Sequence, residues 1–244
     1  MTPSEITVSA AALEQLRHVS TATLTTQLFK RGLRNVFLQG VGPLIKPAAG
    51  TPNLVGPAFT LRNIPAREDL DHLGVFQDPD HPQRKAVESA PPGSVLVQDC
   101  RGERTVASVG SILALRLAKR GVAGMVSDGP VRDSGTIAEL GLPIWCAGAS
   151  APLNLAKHHA VDMNVPIACG GVAVYPGDIV VADVDGVVIV PREMAEEVAR
   201  DAAEQEQMEI FISQRIDEGR PLRGTYPPNE ETLAAYAQWR AARK

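Results

Sequence analysis

No run of about 18 apolar residues occurs in this sequence, and its opening, MTPSEITVSA, lacks the basic and apolar regions of a secretion signal. A membrane span is thereby excluded, and the expected location is cytoplasmic. Cysteine is scarce: Cys100, Cys146 and Cys169 are odd in number and far apart, which fits neither a disulfide framework nor a zinc-binding spacing. They read as small buried hydrophobes. Excess positive charge is missing too, since 24 Lys and Arg stand against 28 Asp and Glu with the signs interspersed. Without a basic face the chain is not expected to contact nucleic acid or an anionic membrane directly. No H-E-x-x-H, G-x-S-x-G, P-loop or strand-following G-x-G-x-x-G is present, so a zinc hydrolase, a serine hydrolase and a nucleotide enzyme all lose their usual signatures. His158 and His159 are adjacent, cannot share a helix face, and read as surface or capping residues.

What is present is a 244-residue chain, 44% hydrophobic but only 4% aromatic, long enough to bury roughly 70% of its unfolded surface. Its most informative stretch is 110–133, GSILALRLAKRGVAGMVSDGPVRD. Arg116, Lys119 and Arg120 fall on one side of a helix over 111–120, leaving Ile112, Leu113, Leu117 and Ala118 for a buried side. Gly121 supplies a left-handed stop, 122–126 is an apolar run of strand length, and Ser127, Asp128, Gly129 and Pro130 form a turn. Arg132 and Asp133 therefore emerge just past a strand end, where α/β proteins place chemistry. A helix that begins after Gly110 also offers the amides of Ser111, Ile112 and Leu113 to a small anion, so an arginine and a helix start can share one carboxylate.

Elsewhere the pattern predicts helices over 10–19 and 23–31, strands over 57–64 and 94–98, a short helix over 136–140 and a strand over 143–146. Residues 65–93, with five prolines and dense charge, read as a loop covering a surface or an interface. Residues 172–191 alternate Val/Ile runs with turn formers, Asp178, Asp183 and Asp185 among them, which predicts a meander or small barrel of tight hairpins. Pro191 opens a long helix to Gly219, and Asn229 caps a tail helix with Leu233, Tyr236 and Ala237 as its apolar stripe.

On Gly56-Pro-Ala-Phe-Thr, Asp99, the 110–133 stretch ending in DGPVRD, and the PGD that precedes Asp183 to Pro191, the chain resembles the longer members of the RraA-like family. That family includes class II 4-hydroxy-4-methyl-2-oxoglutarate aldolases and the ribonuclease regulator RraA. The resemblance implies an α/β fold, an α-β-β-α sandwich with a swivelling β/β/α-type core, as one domain over 1–219 with a C-terminal extension and docking helix over 220–244. It further implies a homotrimer or dimer of trimers, a site between subunits, and a divalent metal, Mg²⁺ or Mn²⁺.

Carried over residue by residue, the resemblance assigns the pyruvate carboxylate to Arg132 and to the helix start at Gly110, Ser111, Ile112 and Leu113. It assigns the metal to Asp133 and makes Arg132 and Asp133 the catalytic pair. The acid that opens the family's D-x20-R-D motif falls on Ser111, so this chain has no carboxylate there. A further glutamate, contributed by a neighbouring subunit in the family, falls on Glu209, with Glu206 next.

The implied reaction is cleavage of a 4-hydroxy-2-oxo acid to pyruvate, with oxaloacetate decarboxylation as a side activity and the wall at the substrate's distal end supplied by 65–93 or another chain. Two alternatives stay open. Asp133 or Ser134 can be a plain helix cap with Arg132 paired structurally to Asp128, and the protein can be a non-catalytic RraA-type regulator that binds a ribonuclease or another protein.

Overall fold

The computed structural model describes residues 7–243; positions 1–6 of the N-terminal segment read above, and Lys244, lie outside the described residues. The sheet is organised on β2 (Leu54–Pro65), twelve residues long. Along one edge β3 (Val95–Asp99), β4 (Gly124–Ser127) and β5 (Ile144–Cys146) follow in parallel, and the short β1 (Gly42–Pro43) closes that side antiparallel. The other edge of β2 is divided. Residues 54–57 pair with β9 (Ile179–Ala182), which continues into β10 (Val187–Val190), whereas residues 61–65 pair with β6 (His158–Met163). β7 (Ile167–Cys169) and β8 (Val172–Val174) form a separate two-stranded sheet.

Side-chain alternation along these strands builds three apolar layers, because successive residues point to opposite faces. Val95 and Val97 of β3, Val180 and Ala182 of β9 and Val187 and Ile189 of β10 face one another in a core between sheets. Leu96 and Met125 point the other way, under α3 (Pro82–Ser89), α4 (Ser111–Lys119) and α5 (Ser134–Ala138). Ile179, Val181, Val188 and Val190 support α1 (Ala10–Leu16), α2 (Thr21–Lys30) and the 23-residue α6 (Ala195–Asp217). The result is the expected α-β-β-α order. β2 contributes to all three layers, with Val55 under α1 and α6, Leu54 and Ala58 between the sheets, and Leu61 under α3 and α4. After a short turn, α7 (Leu222–Thr225), the helix α8 (Glu230–Ala241), capped by Asn229, lays Tyr236 and Trp239 against Phe211 of α6.

Four expectations are corrected. Residues 65–93 are not merely a loop: they hold a 3-10 turn, Leu73–Gln77, and α3, whose Ala86 and Val87 are buried beside Leu61. The β-rich stretch is not one meander, since only β9 and β10 form a hairpin and β8 pairs backwards with β7. A 3-10 turn, Arg192–Met194, separates Pro191 from α6. His158 is not a surface residue; it opens β6 and is 2% exposed.

Candidate active site

The parallel strands β3 and β4 end side by side, at Asp99 and Ser127. Past those ends the chain continues as a miniature ladder. The amide of Ser108 donates to the Pro130 carbonyl at 2.7 Å, and that of Arg132 donates to the Val109 carbonyl at 2.9 Å. Because 108–109 and 130–132 are zipped in this way, Gly110 and Ser111 lie against Arg132 and Asp133. Hydroxyls brace the ladder from beneath: Ser108 Oγ donates to the Pro130 carbonyl and Ser127 Oγ to Ser108 Oγ, all buried. Gly110 is required by proximity, since a Cβ there would stand 2.9 Å from Asp133 Oδ2 and 3.1 Å from Arg132 Cγ.

Asp133 itself has a left-handed backbone, φ 57 and ψ 34. Such a conformation costs a non-glycine residue of order 1 kcal/mol, and Asp and Asn tolerate it best. It turns the side chain back to α4 rather than onto α5. Asp133 Oδ2 accepts from both the amide and the hydroxyl of Ser111 at 3.1 Å, and the Arg132 Nε lies 3.6 Å from Oδ1. These donors, the Ser111 amide first, hold the Asp133 carboxyl below the usual carboxylate range. Asp133 is thus not a side-chain cap of its own helix. Asp128 is not the partner of Arg132 either: it is 5% exposed and accepts from the amides of Cys100, Gly102 and Gly170 at 2.6, 2.9 and 3.2 Å. Burial pushes Asp128 up despite those donors, and Asp99 up despite the amides of Arg101 and Ala168.

Gly110, Ser111, Ile112, Leu113, Arg132 and Asp133 line one cleft of about 300 Å³. Ile112 is not on the buried side of α4; it is 81% exposed at the edge of this cleft, while Ala114 and Leu117 hold the helix to the sheet. Phe76, Gln83 and Arg84 of the 65–93 segment line the cleft as well, with Leu153 and Asn154. The sequence offered that segment or another chain for the distal wall without indicating these residues, and no local motif marks them.

Glu209 does not belong to the cleft within this chain. It accepts from Gln205 at 2.8 Å and lines a separate depression with Ile216, Leu222 and Tyr226. Glu206 instead accepts from the amide and hydroxyl of Ser20 and so supports the start of α2. A larger cavity, about 860 Å³, opens between residues 44–54 and Trp145. Its carboxylates are committed to structure, Asp183 to the amide and hydroxyl of Thr21 and Glu206 to Ser20.

Among the described residues no cluster of three His, Cys, Asp or Glu side chains is arranged to hold a metal. The cleft nevertheless suits a mostly hydrated divalent ion, which needs only one or two protein carboxylates. Asp133 is half-exposed beside the Ser111 hydroxyl, and an anion brought to the start of α4 would face its negative charge unless a cation stood between them.

Comparison with known proteins converges with this architecture. The RraA-like profile, described as Aldolase/RraA, matches residues 21–189. A protein of Halalkalibacterium halodurans, provisionally named 4-hydroxy-4-methyl-2-oxoglutarate aldolase, is 35% identical over 176 residues, 70% of this chain and 78% of that protein. The crystal structure of Streptomyces coelicolor RraAS2, described as an unusual member of the RNase ES inhibitor RraA family, superposes with a TM-score of 0.73 at 34% identity, covering 84% of this chain and 96% of that one. An uncharacterised Pseudomonas syringae protein gives 0.75 at 26% identity, over 90% and 98% of the two chains. With the four-layer fold, the β4 end and the length of the match all in agreement, the chain belongs to the RraA-like family.

Proposed function

We propose that this protein is a divalent-metal-assisted lyase that cleaves a 4-hydroxy-2-oxo acid such as 4-hydroxy-4-methyl-2-oxoglutarate to pyruvate, with oxaloacetate decarboxylation as a side activity. The observation that carries this reading is the convergence of Arg132, Asp133 and the start of α4 on one cleft at the end of a parallel strand.

In this reading Arg132 holds the substrate carboxylate with two parallel charge-assisted bonds, and the α4 amides of Ile112 and Leu113, the Ser111 amide being taken by Asp133, take up its remaining lone pairs. That clamp fixes the plane of the 2-oxo group. Breaking the C3–C4 bond leaves its electron pair at C3 as the pyruvate enolate, while the 4-hydroxyl loses its proton and C4 becomes a carbonyl; protonation at C3 completes pyruvate. No histidine lines the cleft, so water carries these protons. Asp133, with the Ser111 hydroxyl beside it, would hold Mg²⁺ or Mn²⁺, and the ion when bound supplies Lewis-acid stabilisation of charge on the 2-oxo oxygen. Glu209 enters this scheme only from a second copy of the chain. The exposed Ile216, Leu222 and Tyr226 around it support an interface there, and with it a homotrimer or a dimer of trimers.

Ser111 favours a second reading. Where the family motif has an acid this chain has a hydroxyl, and a site that binds no metal would suit a regulator acting on another protein. The deciding assay is turnover of oxaloacetate and of 4-hydroxy-4-methyl-2-oxoglutarate with Mg²⁺ and after chelation, alongside the Arg132→Lys variant. Metal-dependent turnover that falls at least tenfold in Arg132→Lys, with the unfolding midpoint retained, supports the lyase, because lysine keeps the charge and loses the fork. Absence of turnover in the metal-loaded wild type refutes it.

A further inference from the structure

Arg84 lines the same cleft as Arg132, and its charge has no compensating partner in its surroundings. It lies in the first turn of α3, after Pro82 and Gln83, where the helix dipole disfavours a cation. It is half-buried, and the loss of solvent around it pulls its guanidinium below its ordinary basicity with no carboxylate near enough to compensate. The acids closest in sequence, Asp80 and Glu88, are taken by Lys85 at 2.8 Å and by Arg116 at 2.7 Å. Among the described residues Arg84 makes no ion pair. Two contacts hold it in place. Its guanidinium carbon sits 4.2 Å over the centre of the Phe76 ring, and its neighbour Gln83, 4% exposed, donates to the Ser108 carbonyl at 2.8 Å, tying α3 to the ladder that carries Arg132.

The cleft's charged lining is therefore Arg84, Arg132 and Asp133, a net charge of +1 before any metal binds. One arginine and the start of α4 already suffice for a single carboxylate. We infer that Arg84 is a specificity-determining residue that clamps a second carboxylate at the end of the substrate remote from Arg132, so that the site selects oxo-dicarboxylates over oxo-monocarboxylates. The Phe76 ring keeps the guanidinium plane oriented, a preorganisation that a lysine would lack. The inference rests on the pyruvate-forming reading for the role of Arg132, and the segment that supplies Arg84 is part of this chain's own 65–93 region.

The test uses two ligands of equal length, 2-oxoglutarate and 2-oxopentanoate, which differ only in a terminal carboxylate against a methyl. Binding is measured by calorimetry on the full chain with Mg²⁺ present, for the wild type and for Arg84→Gln, Arg84→Lys and Arg132→Lys. The wild type is expected to prefer 2-oxoglutarate by about tenfold or more, the worth of one charge-assisted pair in a partly solvated cleft. Arg84→Gln should bring the two affinities together, Arg84→Lys should restore part of the preference, and Arg132→Lys should weaken both ligands. If Arg84→Gln weakens both ligands equally, or leaves the preference intact, Arg84 is structural and the inference falls while the Arg132 site stands. If the wild type binds neither ligand, the 2-oxo acid site and the inference fall together.

Discussion

His158 gives a quantitative test of the packing beneath the site. Its ring is buried at the start of β6, Arg101 donates to Nδ1 at 3.2 Å, and Nε2 has no partner. A donor on Nδ1 implies the Nε2–H tautomer. Loss of solvent, reinforced by the Arg101 charge, pulls the ring from its ordinary 6.5 to about 4. The folded state thus refuses a proton that the unfolded chain accepts. Stability from this residue is complete above pH 6.5 and is lost as the pH falls from there toward 4. The full difference amounts to roughly 3 kcal/mol, of which about 2 kcal/mol is gone by pH 5. Asp99, Asp128 and Asp178, held high by burial, act with the opposite sign, so the wild type alone does not isolate the effect. His158→Asn does: an amide can accept from Arg101 but does not titrate. Urea unfolding at pH 7.5 and pH 5 should show the wild type losing about 2 kcal/mol more than the variant. Parallel losses would refute the account of a neutral, solvent-starved ring.

Two further substitutions probe the cleft. Gly110→Ala should push the Asp133 carboxylate off Ser111, lowering turnover of a 2-oxo acid at least tenfold for a stability cost of about 1 kcal/mol; unchanged kcat/KM would mean that the Ser111–Asp133 contact has no part in the chemistry. Ser111→Asp places a second carboxylate across from Asp133 and should tighten Mg²⁺ or Mn²⁺ binding by roughly tenfold or more, read by calorimetry. An unaltered affinity would show that the ion, if bound, sits elsewhere.

The stretch from Gly110 to Asp133 is legible in the sequence because everything that shapes it is local: an amphipathic period, a glycine stop, a Val/Met strand and a Ser-Asp-Gly-Pro turn. The layer order is legible for a related reason, since alternating Val and Ile runs such as 179–182 and 187–190 mark strands buried on both faces. What is hidden depends on distant approach. Ile112 fits a helical stripe, yet it is Ala114 and Leu117 that are buried, in one cluster with Val109 and Val131. His158 looks like a surface residue until the long β2 draws β6 along its far half. Phe76 and Arg84 carry no motif, because what brings them to the cleft is the packing of Ala86 and Val87 beside Leu61 and the Gln83 bond to Ser108, both distant in sequence. Asp128 reads as a turn former, and its burial under three amides from two other segments has no trace in its own neighbourhood.

The left-handed backbone at Asp133 also channels how such a cleft can diverge. Gly, Asn and Asp stand there at the least strain, so replacing the acid with a branched side chain is conformationally disfavoured whatever its chemistry. Position 111 has no such restriction, being an ordinary first residue of a helix that accepts serine, aspartate or glutamate alike. A gain of acidity in the site therefore meets less backbone restriction at residue 111, whereas residue 133 loses its charge without strain only to asparagine or glycine.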